Sequence, residues 1–74
     1  MKTLTDLKNF LKEKYNVKPQ IINDREFNYL SVYFRNDNDL TEAIHEASRG
    51  TGYTFLAYQC SPRLKKHHMI AFVR

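Results

Sequence analysis

Between Phe27 and Arg35 the chain alternates without a break. Leu30, Val32 and Phe34 fall on one side, and Phe27, Tyr29, Ser31, Tyr33 and Arg35 on the other. Period-two alternation of this length predicts a β-strand with one buried face and one open face. A sheet of that kind needs an apolar layer over its buried side, and the neighbouring segments supply one. Thr3, with Asp6 three residues on, has the spacing of a helix cap. Leu4, Leu7 and Leu11, widened by Phe10, form an apolar stripe, while Lys8, Lys12, Glu13 and Lys14 take the other side. This predicts an amphipathic helix ending near Tyr15-Asn16. Asp39 with Glu42 repeats the capping pattern and opens a second helix, with Leu40, Ala43, Ile44 and Ala47 inward and Gly50 as its C-cap.

Three further strands complete the pattern. Val17 to Asn23 reads as a strand that Pro19 confines to an edge, followed by a turn at Asn23-Asp24-Arg25-Glu26. Tyr53 to Cys60 and His67 to Arg74 read as a strand pair joined through Ser61 to Lys66. The expected order is αββαββ over a single domain of residues 1–74. It predicts an α+β two-layer sandwich, with a four-stranded, mainly antiparallel sheet and two helices on one face. The topology resembles a ferredoxin-like β-α-β-β-α-β fold whose first strand has moved to the C-terminus. That resemblance implies a central last strand, antiparallel to the third and parallel to the second. The nearly apolar run His68 to Val73 suits a central place. Both of the last two strands carry apolar residues on each side, so the pattern leaves open which of their faces is buried.

Cys60 is the only cysteine, so no disulfide can form within one chain, and a lone thiol fits a reducing cytosol. No apolar run approaches the roughly 20 residues needed to cross a bilayer, and none follows Lys2 to make a signal peptide. A cytoplasmic protein without membrane contact is expected.

Charge is distributed unevenly. Met1 to Gly50 holds eight cations and eight acids, whereas Thr51 to Arg74 holds four cations and no carboxylate. Arg63, Lys65 and Lys66 are packed with His67 and His68 into one short run. Like charges within a Debye length of about 8 to 10 Å act on a partner together. The expected function is therefore a small non-enzymatic module that docks this hairpin, with Arg35 and Arg49 nearby, onto nucleic acid or an acidic protein surface.

The open strand face is a second candidate surface. Phe27, Tyr29 and Tyr33, joined by Tyr53 and Phe55 or by Phe72 according to register, could stack bases beside arginines. The same residue types suit a protein partner or a homodimer, and a protein contact is the preferred expectation for this face. Under that alternative the chain is an inhibitor or adaptor that occupies a host protein, as many short proteins of phages and mobile elements do. That host could be a nucleic-acid enzyme.

One enzymatic alternative remains. His67 or His68 as general acid and base, with Arg63, Lys65 or Arg49 on the phosphate, would make a small toxin-like ribonuclease. Cys60 in an apolar strand is expected to be buried and inert, and Ser31, Ser48 and Ser61 lack a glycine elbow. Cys60, His67 and His68 are the available soft donors, but neighbouring strand residues face opposite ways, so neither a metal nor another cofactor is expected.

Overall fold

The computed structural model describes residues 3–49, 51–61, 63 and 65–73. Gly50 and Arg74, and with them the expected glycine C-cap, lie outside the described residues, as does the side chain of Cys60. The elements run α1 (Leu4–Tyr15), β1 (Gln20–Asn23), β2 (Asn28–Phe34), α2 (Asp37–Ala47), β3 (Tyr53–Ser61) and β4 (Lys66–Val73).

Thr3 caps α1 as its spacing predicts, its hydroxyl accepting the Asp6 N–H at 3.1 Å. The helix closes on Asn16 in the left-handed region at φ 54°, which asparagine tolerates better than most residues. Leu7 and Leu11 are fully buried. β1 begins at Gln20 rather than Val17, because Pro19 just before it has no N–H to give a ladder. The second helix also differs at its start. Asn36, not Asp39, is the cap: its side-chain oxygen accepts the Asp39 N–H at 2.8 Å, and its amide donates to the Asp39 carboxylate at 3.3 Å. Asn36 and Asp39 both have capping chemistry, and the earlier cap adds a turn with Leu40 already buried. The two helices are tied at their surfaces by Lys14, which reaches Glu46 and, at 3.8 Å, Glu42.

The sheet order is β1-β2-β4-β3, with every neighbouring pair antiparallel. β4 is central, as the permuted arrangement requires, but it is antiparallel to β2, not parallel. The reason lies in the connections. The passage through α2 leaves β2 and β3 pointing the same way, and the β3–β4 hairpin then reverses the chain, so β4 between them opposes both.

Register fixes the faces. Leu30↔Ala71 and Val32↔Met69 meet across β2 and β4, and Phe55↔Ala71 and Ala57↔Met69 across β4 and β3. Directly paired residues share a face, and this is the face packed on Leu7, Leu11, Leu40, Ala43 and Ala47. The other face carries no helix among the described residues. Among the described residues, no helix is long and apolar enough to cross a membrane.

Candidate nucleic-acid interface

The uncovered face is built by the alternate residues of the same strands. Tyr29↔Phe72, Ser31↔Ile70 and Tyr33↔His68 cross β2 and β4, and Thr54↔Phe72, Leu56↔Ile70 and Tyr58↔His68 cross β4 and β3. The centre is polar and closed. Ser31 Oγ and His68 Nε2 share a hydrogen bond of 2.6 Å, with the two residues 8 % and 7 % exposed. Tyr33 stacks on the imidazole at 4.3 Å with the planes 6° apart, and Tyr58 meets it edge-on at 4.8 Å. Burial holds His68 below the ordinary histidine pKa, because removing water penalises the charged ring. Toward Phe27 the face is mainly apolar. Phe27 contacts Tyr29 and Phe72 at centroid distances of 5.7 and 5.2 Å, beside Leu56 and Ile70.

One end of the sheet is cationic. Lys18 from the loop after α1, Arg35 from just after β2 and Lys66 from the start of β4 line a single cleft of about 330 Å³. Asn16, Val17, Tyr33 and Phe34 complete its wall, which contains no carboxylate. Among the described residues none of these three cations makes an ion pair. Arg63 and Lys65 are exposed on the turn just beyond, Lys65 in the left-handed region at φ 49°. On the helix side Asp39 borders the other flank of Arg35 in a neighbouring groove.

The structure therefore sorts the expected site residues. Arg35, Lys66, Lys65 and Arg63 do fall at one end of the molecule. Arg49 does not. It follows α2 and precedes Tyr53, whereas the basic turn follows the far end of nine-residue β3, about 30 Å away along the strand. His67 and His68 point to opposite faces. His67 lies on the helix side, its Nδ1 3.9 Å from an Asp37 carboxylate oxygen at the start of α2, while His68 lies under the two tyrosines. The pair is thus not arranged to hold one phosphate, or one metal ion, between them.

Of the aromatics, Phe27, Tyr29 and Tyr33 lie on the uncovered face and Phe72 joins them. Tyr53 and Phe55 are on the helix side, paired edge to face at 6.3 Å. Burial, with a smaller contribution from the Asp6 carboxylate, raises the Tyr53 pKa. Sequence reasoning missed Lys18 and Tyr58. Lys18 sits in the stretch of chain with balanced charge, and its place becomes visible only when the Asn16 turn brings that loop to the ends of β2 and β4. Tyr58 shares its parity with Leu56, not with Tyr53, and only the register shows that this parity faces the open side.

Comparison with family models, with curated proteins and with solved structures finds no match to this chain.

Proposed function

We propose that the chain is a small cytosolic, non-enzymatic binding module whose cationic end holds the phosphate backbone of a nucleic acid. The observation that carries this reading is the convergence of Lys18, Arg35 and Lys66, from three separate elements, around one cleft free of carboxylates. Unpaired cations held together repel one another, so such a cluster is better satisfied by an anion with several charges than by solvent alone. Arg63 and Lys65 extend the same sign outward along the turn. A phosphodiester chain presents its charges at regular spacing and suits such a row better than isolated carboxylates do.

The test is a salt titration of binding to labelled oligonucleotides, with strand integrity read on a gel. Affinity should fall steeply with salt. Replacing Arg35 and Lys66 together by alanine should flatten the slope of log K against log salt by roughly 0.7 per lost contact on a single strand, or roughly 0.9 on a duplex. Binding with an unchanged slope in that variant would remove the cleft from the interface. Cleaved strands would favour the ribonuclease alternative.

A further inference from the structure

The cationic cleft and the uncovered sheet face meet at Tyr33, which lines the cleft and stacks on His68. Tyr58 flanks the same imidazole from the opposite strand. The histidine is buried, but Tyr33 and Tyr58 remain 43 % and 45 % exposed. Their contacts to His68 fix both rings before any ligand arrives, so little side-chain freedom is lost when a further ring stacks on them.

Charge selects the occupant. Lys66 precedes His68 by two positions in β4, and Arg35 follows Tyr33 by two positions, just after β2. A phosphate in the cleft therefore sits within one nucleotide's reach of the Tyr33 ring. The uncovered-face residues at this end, Gln20, Ser31, Tyr33, Tyr58, Lys66 and His68, include no carboxylate. Asp24 lies at the other end of the face, beside Phe27. An anionic strand entering at the basic end thus meets the exposed rings first. Stacking needs a base whose face is open, which a duplex withholds and a single strand offers.

We infer that Tyr33 and Tyr58 stack unpaired bases of a single strand whose phosphates lie against Lys18, Arg35 and Lys66. The module therefore prefers single-stranded to duplex nucleic acid. This inference rests on the phosphate-backbone reading above and adds the bases to it.

The experiment compares three fluorescent probes of equal length: oligothymidine, an abasic strand of the same charge, and a duplex. Oligothymidine should bind about 10-fold or more tightly than the abasic strand for each base stacked, and more tightly than the duplex. Tyr33→Leu with Tyr58→Leu keeps apolar bulk but removes the rings, and should bring oligothymidine down to the abasic level. Tyr33→Phe with Tyr58→Phe should retain the difference. If the leucine pair does not fold, as judged by circular dichroism, the oligothymidine-to-abasic ratio of the native chain decides alone. Equal, salt-sensitive binding of the two single strands overturns base stacking and leaves the phosphate reading intact. No binding of any probe at low salt overturns both. A concentration-dependent dimer in sedimentation, abolished by the leucine pair, would assign the rings to a second copy of the chain and overturn the inference.

Discussion

His68 is a titratable side chain placed where its charge is unwelcome. Two tyrosine rings cover it, Ser31 is its hydrogen-bond partner, and burial lowers its pKa from the ordinary value near 6.5. In the unfolded chain the imidazole takes a proton at higher pH than in the native one. Between the two values the unfolded state holds more protons, so native stability rises with pH. The contribution is complete above about pH 6.5 and is lost as pH falls from there through the lowered native value. Thermal unfolding followed from about pH 7.5 down to about pH 5 should show the Tm falling across that window. His68→Gln, which keeps a partner for Ser31 but does not titrate, should flatten the fall. Parallel curves for the two proteins would show that folding leaves the His68 pKa at its ordinary value. Nothing in the run Lys65-Lys66-His67-His68 distinguishes its two histidines, since the sequence shows only that they face opposite ways. Which one is buried depends on the pairing of Tyr33 with His68 rather than with His67.

At the scale of elements, the helices and β2 were legible because their apolar periods are unambiguous. Leu4, Leu7 and Leu11 can share a helical stripe but no strand face, and Leu30, Val32 and Phe34 the reverse. β3 and β4 were legible as strands but not as faces. Met69 and Ala71 look inward while Ile70 and Phe72, equally apolar, look outward. The start of α2 was obscured by a different degeneracy, because Asn36 and Asp39 both precede a suitable apolar run. The observed bonds separate their roles. Asn36→Ala should cost about 1 kcal/mol in urea unfolding, the usual loss for an N-cap. Asp39→Ala should cost less, roughly 0.3 to 1 kcal/mol, since Asp39 contributes mainly a negative charge in the first turn. The opposite ranking would restore Asp39 as the cap.

At the scale of the whole molecule, the packed core and the proposed binding surface are divided between the two sides of one thin sheet. The cationic end shows how far sequence alone could reach. The excess charge after Thr51 pointed to Lys65 and Lys66, but Lys18 and Arg35 come from the stretch with balanced charge and reach the cleft only through the fold. Arg49, expected to lie near the basic run in space, is carried to the other end by α2. The helix side holds nearly all the buried apolar volume, and a chain of 74 residues draws only about 3 to 5 kcal/mol of net stability from such a core. Leu11 is fully buried in it, and Leu11→Ala should cost about 2 to 5 kcal/mol, a loss comparable with that whole margin. Leu56 on the other face is 48 % exposed, and Leu56→Ser should change stability by no more than about 0.5 kcal/mol. Denaturant unfolding of the two variants at several protein concentrations measures this contrast. A loss of several kcal/mol on Leu56→Ser, growing with protein concentration, would mean that a second copy covers the open face. A small loss independent of concentration would mean that this face is maintained without a covering subunit and remains available to a ligand.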